Sequence, residues 1–447
     1  MPSVTNKKSN SNNSGFPLGH SRKSSTANTN SNSNNNNNNN NNKPVATSNS
    51  SAATNTAFSS ASSSSSAHTT PPKPSGKSGG WAEALPEATR KRFAKYNIDL
   101  SRGYPERPLH IPRYLEEAYK IRNDRPENYV ERGKNADPEK KALFGAAKEV
   151  RDLTKHIGTE IVGVQLEDLS EKQLDELALL VAERVVVVFR EQDLSPQRQL
   201  EIGKYYGRVE VHPIQGHVPG YPGITTVWNK YNRAKYLQQY QKGINSGWHT
   251  DLVHEFTPAG ITHLHLDSIP EIGGDTCFTS GYAAYDKLSP ALQKFVDGKT
   301  VIQRSAHTYY KHGDQVFDGP QYIEREHPLV HTHPVTGWKS LNVNRSLSLR
   351  IVGLEPAESD LILNYLYDVY EKNLDIQVRI SWQQDKPGLG ASAIWDNRVS
   401  QHVAVADYND EEAKTKRHAN RVTSLGDVLY FDPNSKSQRE ALGLSLD

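Results

Sequence analysis

Apolar positions along the chain fall into two regimes. In the first, Ser170-Glu171-Lys172-Gln173 reads as a capping box ahead of Leu174, Leu177, Leu179 and Leu180, the spacing of an amphipathic helix. The uninterrupted run Val185-Val186-Val187-Val188-Phe189 then predicts a buried strand, and Ser195-Pro196 opens a second helix with proline at its first position. Beyond Val209 the pattern changes to short β-like segments separated by Pro and Gly. Gly223-Ile224-Thr225-Thr226-Val227-Trp228 is one; Ile376-Gln377-Val378-Arg379-Ile380-Ser381-Trp382 is another, alternating as a strand buried on one side should. One late helix is predicted over 356–371. Many short strands with occasional helices predict a mainly β fold with flanking helices, closed into a jelly roll. No internal repeat is visible.

Composition limits how much of the 447 residues can join that fold. Residues 1–80 are Ser, Asn, Thr and Pro, with nine consecutive Asn over 34–42. So few large apolar side chains cannot offset the entropy of ordering, and the segment is expected to be a disordered tail. Residues 81–142 are charged and Pro-bearing and are expected to pack on the core as an extension. Residues 143–435 make the main domain, and 436–447 a C-terminal tail.

Charge and cysteine narrow the function class. Lys+Arg number 53 and Asp+Glu 51, a formal +2, so no overall field favours nucleic acid or a membrane surface. The single cysteine, Cys277, fits a reducing compartment. No run of eighteen apolar residues or signal-peptide core is seen. The Ser-rich leader has no acid before Glu83, like a mitochondrial presequence, but its arginines are too sparse for an amphipathic helix. A cytoplasmic location is expected.

The chemistry concentrates in Trp248-His249-Thr250-Asp251 and a distant His402 in Trp395-Asp396-Asn397-Arg398-Val399-Ser400-Gln401-His402. In extended chain the side chains of His249 and Asp251 share one face. Two histidines and a carboxylate are the set that holds mononuclear Fe(II) with open positions for a co-substrate and oxygen. His402 is read at the end of an Ala393-Ile394-Trp395 strand. His263-Leu264-His265 and His331-Thr332-His333 are rival pairs without a carboxylate at matching spacing, and read as ordinary strand residues. Gly273-Gly274-Asp275-Thr276 follows the first ligands, and Arg417 and Arg421 follow His402. A keto acid bound to such an iron needs a fixed cation for its far carboxylate, which Arg supplies bidentately.

On these motifs, with Gln401-His402 and Arg417-His418-Ala419-Asn420-Arg421-Val422-Thr423, the chain resembles the taurine dioxygenase family of Fe(II)/2-oxoglutarate-dependent dioxygenases over about 143–432, most closely the fungal sulfonate dioxygenases. The resemblance implies a double-stranded β-helix, with His249, Asp251 and His402 as iron ligands. Thr276 and Arg417 would hold the distal carboxylate of 2-oxoglutarate; Arg421, His212 and Asn245 would hold the substrate. It also implies Fe(II), 2-oxoglutarate and O2, with ascorbate in support, and a small-molecule sulfonate substrate. Oxidation beside sulfur would yield sulfite and an aldehyde with succinate and CO2, serving sulfur assimilation. Relatives form dimers or tetramers, so a homo-oligomer is allowed. Three departures bear on the substrate: Gln215 where taurine-specific relatives carry tyrosine, Leu347 in place of an aromatic, and a longer segment between His402 and Arg417. A wider, more aliphatic pocket for longer sulfonates would follow. An alkyl sulfate ester or aryloxy acid dioxygenase on the same scaffold is the alternative; a non-catalytic scaffold is disfavoured because no ligand is missing.

Overall fold

The computed structural model describes residues 80–228 and 247–444, apart from 310, 313–314, 317, 384, 387, 406 and 409–416. The tail expected to be disordered lies outside these residues except for Gly80, as do Asn245 and most of the segment between His402 and Arg417.

Eleven strands position the site: β1 (Glu149–Asp152), β2 (Thr159–Val162), β3 (Val186–Gln192), β4 (His217–Val218), β5 (Tyr221–Trp228), β6 (Ala259–Ser268), β7 (Thr276–Ser280), β8 (Gln377–Ile380), β9 (Gly390–Asp396), β10 (Ser400–Ala404) and β11 (His418–Leu425). Eight of them form one sheet in the order β1-β2-β3-β9-β6-β11-β5-β4. Only β2 and β3 run parallel within it. A smaller antiparallel sheet, β8-β7-β10, supplies the other side of the core. Leu264, Leu266, Ala393, Trp395 and Ala419 of the large sheet pack with Phe278, Val378 and Ile380 of the small one. The rings of Phe278 and Trp395 meet at 5.3 Å in an edge-to-face arrangement.

Helices over 87–95, 171–184 and 196–206 pack against strands of the large sheet. The helix α1 (Glu87–Lys95) and the helix α2 (Leu115–Arg122) precede the sheet in the chain. The predicted capping box forms at Ser170 and starts α3 (Glu171–Arg184). Leu174, Leu177, Leu180 and Val181 pack there on Ile161, Val187, Phe189 and Ile394. The strand predicted from Val185 begins one residue later, because Val185 ends α3 in a positive-φ conformation. Pro196 opens α4 (Pro196–Tyr206), with the Ser195 hydroxyl accepting from the Arg198 N–H. The late helix is α5 (Pro356–Lys372). A short helix, Gln438–Ala441, occupies the segment expected as a C-terminal tail. Among the described residues no helix is long and apolar enough to cross a membrane.

The rival histidine pairs are buried. His263 and His265 on β6 both bond the hydroxyl of Ser392 on β9, at 3.0 and 2.9 Å. His333 bonds Asp396 at 3.0 Å, and Asp396 also takes the Arg398 guanidinium at 2.6 Å. Neither ring nitrogen of His331 has a hydrogen bond among the described residues. Burial lowers His331 and His263 to about 3. Both are therefore neutral in the fold, whereas the unfolded chain protonates them near its ordinary value, about 6.5. Below that value the unfolded state binds more protons, so stability falls as the pH drops from about 6.5 towards 3, by about 1.4 kcal/mol per pH unit for each such ring. Chemical denaturation is expected to show lower stability at pH 5 than at pH 7, and His331→Asn to reduce that difference by about 2 kcal/mol. An unaltered difference in the variant would mean that His331 is not held neutral.

Candidate active site

Two histidines far apart in sequence meet through their own backbones. The N–H of His249 donates to the carbonyl of His402 at 3.1 Å and the N–H of His402 donates back at 2.9 Å, an isolated antiparallel bridge. Their rings lie 4.4 Å apart between centroids. His402 does not continue the strand of Ala393-Ile394-Trp395. The 3-10 turn Asn397–Val399 follows β9, and His402 rides on β10 in the small sheet. Its ring stacks on Phe278 at 5.8 Å and lies 4.9 Å from Trp395.

His249 Nδ1 donates to the Gly247 carbonyl at 2.9 Å, which leaves Nε2 as the donor atom for a metal. Gly247 has φ +77, and a Cβ there would also press on Val403 at 3.1 Å, so the orienting carbonyl requires glycine. Asp251 is fixed from behind by Asn397, whose Oδ1 accepts from the Asp251 N–H at 3.3 Å and from the Trp395 indole at 3.1 Å. The same Asn397 amide donates to Gly260 and Thr262 of β6. The Trp395-Asp396-Asn397-Arg398 motif thus acts as a brace joining the ligand turn to the large sheet.

Among the described residues, His249, Asp251 and His402 are the group whose ligand atoms gather within 4.8 Å of one another. His249 Nε2 and Asp251 Oδ1 stand 3.9 Å apart. Burial lowers His402 to about 3, so its imidazole is neutral and able to ligate. Burial opposes ionisation of Asp251, but Arg421, with His402 and His249, holds its carboxyl down at about 2. Two imidazoles and one carboxylate are a donor set that suits a divalent first-row metal with open positions.

A cavity of about 270 Å³ opens on this group. Thr276 and Arg417 line it together: Arg417 Nη2 reaches the Thr276 hydroxyl at 3.5 Å, and Arg417 Nε donates to the Gly274 carbonyl at 2.9 Å. Gly274, with φ +74, lies so close to Arg417 that a Cβ would sit 3.2 Å from its Cδ, which explains the glycine in this motif. Arg421 donates through Nη1 to both oxygens of Asp251, at 3.0 and 3.1 Å, a contact not foreseen from sequence. His212 accepts at Nδ1 from the Ile214 and Gln215 N–H groups at 3.1 and 3.0 Å, so its Nε2 carries a proton it can donate. Gln215 and Leu347 both line the cavity. Asn245 lies outside the described residues.

Sequence reasoning missed two charged wall residues, Arg122 and Glu210. Burial raises the Glu210 carboxyl to about 6, while Arg122 and Arg421 pull it down. Its position two residues before His212 was the available signal; nothing in the spacing pointed to Arg122, which comes from the end of α2.

Residues 149–423 match the family described as taurine catabolism dioxygenase TauD, TfdA. An alpha-ketoglutarate-dependent sulfonate dioxygenase of Saccharomyces cerevisiae is 37% identical over 281 residues, 61% of this chain. The match spans 66% of that relative, just under two thirds of its length. An alkylsulfatase of Acinetobacter baylyi is 32% identical over 296 residues, covering 63% of this chain and 86% of its own. The crystal structure of a taurine dioxygenase from Burkholderia xenovorans superposes with a TM-score of 0.53 at 32% identity, over 64% of this chain and 92% of that one. With the family match extending over more than half of its length, the chain belongs to the taurine catabolism dioxygenase TauD, TfdA family of 2-oxoglutarate-dependent dioxygenases.

Proposed function

We propose that the protein is an Fe(II)/2-oxoglutarate-dependent sulfonate dioxygenase of the cytoplasm, serving sulfur assimilation. It hydroxylates the carbon next to sulfur of taurine or a related alkylsulfonate and releases sulfite and an aldehyde, with succinate and CO2. Residues 143–435 form the catalytic domain, a double-stranded β-helix, and residues 81–142 an extension packed on it. One observation carries the reading. A single cavity gathers the His249, Asp251 and His402 side chains, a Thr276–Arg417 pair, and Arg421 with His212.

Fe(II) held by His249, Asp251 and His402 would supply, with 2-oxoglutarate and O2, the oxidising power to break a C–H bond. The residues do the positioning. Arg417 and Thr276 receive the far carboxylate of the keto acid and fix its orientation. Arg421, the Nε2–H of His212 and Asn245 offer donors to the three oxygens of a sulfonate. Held by its sulfonate beside a keto acid of fixed orientation, the substrate presents one carbon, and that restriction is worth a large part of the barrier. Leu347, Trp395 and Leu264 line the same space and keep water out. Once the carbon bearing sulfur carries a hydroxyl, that group loses its proton, the C–S electron pair departs with sulfite, and an aldehyde remains.

A second reading is favoured by the alkylsulfatase relative: an alkyl sulfate ester in the same place, with sulfate as the leaving group. Sulfite and succinate are expected to appear together when purified protein is given Fe(II), ascorbate, O2, 2-oxoglutarate and taurine or a longer sulfonate. Sulfate from an alkyl sulfate, with no sulfite from any sulfonate, would establish the second reading instead. Arg417→Ala is expected to raise the KM for 2-oxoglutarate by about 10- to 100-fold, the value of a lost charged hydrogen bond. Arg421→Ala should raise the sulfonate KM by a similar factor and also loosen iron, because it removes the partner of Asp251. Equal effects of both substitutions on both substrates would refute this division. His402→Ala is expected to lose its iron on gel filtration, by metal analysis, and all turnover; full retention of iron would remove His402 from the ligand set.

A further inference from the structure

The cavity contains a charged group that the proposed chemistry leaves unused. Arg122 and Glu210 line it and Arg122 also meets Glu255, the three side chains being 10%, 6% and 5% exposed. Arg122 donates through Nη1 to Glu255. Its Nη2 stops 3.8 Å short of Glu210 Oε1, beyond hydrogen-bond distance. Among the described residues, Glu210 Oε1 and Arg122 Nε make no hydrogen bond at all. Other buried ion pairs of this protein close fully, Arg92 on Asp267 at 3.1 Å and Arg398 on Asp396 at 2.6 Å. The Glu210 pair is therefore open where those are shut, and it lines the same cavity as Arg421 and His212.

Two properties of the group point to a ligand. One guanidinium faces two carboxylates and gives its hydrogen bond to Glu255 alone, leaving Glu210 Oε1 without a donor among the described residues. A buried carboxylate oxygen without a donor is costly, and a ligand that brings one relieves that cost. Glu210 also stands on the same side of the chain as His212: both are buried while Val211 between them is half exposed. A substrate whose anionic end meets Arg421 and His212 thus has Glu210 within the same small space for its other end.

We infer that Glu210, held back by Arg122, is a specificity-determining residue that accepts a hydrogen bond from the end of the substrate remote from the sulfonate. The enzyme accordingly selects short sulfonates ending in a hydroxyl or ammonium group over those ending in methyl or a second anion. This rests on the sulfonate reading above. Arg122 precedes the segment matched to the family, residues 149–423, so this determinant is completed from outside it.

The test compares 2-aminoethane-, 2-hydroxyethane- and propanesulfonate, of equal length and different ends. Binding is measured by calorimetry, without O2, to protein loaded with Fe(II) and 2-oxoglutarate, and sulfite release is measured in air. Wild type is expected to bind both donor-ended compounds about tenfold or more better than propanesulfonate. Glu210→Leu should abolish that preference; the isosteric Glu210→Gln should reduce it for the ammonium compound and keep it for the hydroxyl, because an amide oxygen still accepts. A wild-type preference for propanesulfonate, or a donor preference unaltered in Glu210→Leu, would overturn this inference alone. Failure of wild type to bind or cleave any of the three would overturn the sulfonate reading with it.

Discussion

The reciprocal backbone bridge between His249 and His402 is the constraint from which the site is built. It sutures the turn bearing Asp251 to β10, and β10 is itself locked in register on β7. That register sets His402 opposite Phe278 and Ala404 opposite Thr276. One pair of hydrogen bonds therefore fixes three separate segments: the turn bearing Asp251, the strand bearing His402, and Thr276. Asn397 closes the arrangement from the other side, since its amide ties the Asp251 backbone to β6. A metal entering such a site meets ligands already placed by backbone and buried amide contacts, so binding has little ordering entropy to overcome.

The arginines depend on a second constraint, the two faces of β11. Alternation sends Ala419 and Arg421 towards the space between the sheets, and His418, Asn420 and Val422 towards the outer side. That outer side is clamped by residues from before the family segment. Arg92 of α1 donates to Asp267 and to Asn420 at 2.8 Å, and Tyr104 bonds His418 at 2.6 Å. Asp267 binds His418 at 2.8 Å; against the penalty of burial, His418 and Arg92 keep its carboxyl well below the usual range. A buried network of this kind is costly when any member is lost, and that cost holds the strand in one place. The N-terminal helices thus act on the arginines without touching the cavity, apart from Arg122.

Much of this was legible beforehand, and the reasons divide by kind of signal. Local signals transferred well: the capping box at Ser170, proline at the start of α4 and the alternation over 377–380 all act within a few residues of themselves. The triad was legible because a metal would demand specific atoms in a specific number, and the structure brings the ligand atoms of His249, Asp251 and His402 within 4.8 Å of one another. Long-range placement was not. The 3-10 turn after β9 moves His402 into another sheet, and no local preference in Asn397-Arg398-Val399 announces that change. Arg122 was illegible for the same reason. Its part in the cavity follows from where α2 docks, and docking is decided by partners such as Glu255 that lie far away in sequence.

In the proposed reaction Arg421 would belong both to the frame and to the substrate site. It touches Asp251 through Nη1 alone, sharing that atom between both carboxylate oxygens, while its Nε makes no hydrogen bond among the described residues. A guanidinium has five donors in a planar fork, so an anion can be met along another edge while Nη1 stays on the carboxylate. The arrival of a sulfonate then need not free Asp251. It instead balances a guanidinium whose charge the carboxylate must share with a divalent metal. Substrate and metal are coupled through this side chain: metal on Asp251 draws carboxylate charge away from Arg421 and leaves the guanidinium more attractive to an anion. Affinity for the sulfonate should therefore rise when iron is in place, an order of binding written into a single contact of 3.0 Å.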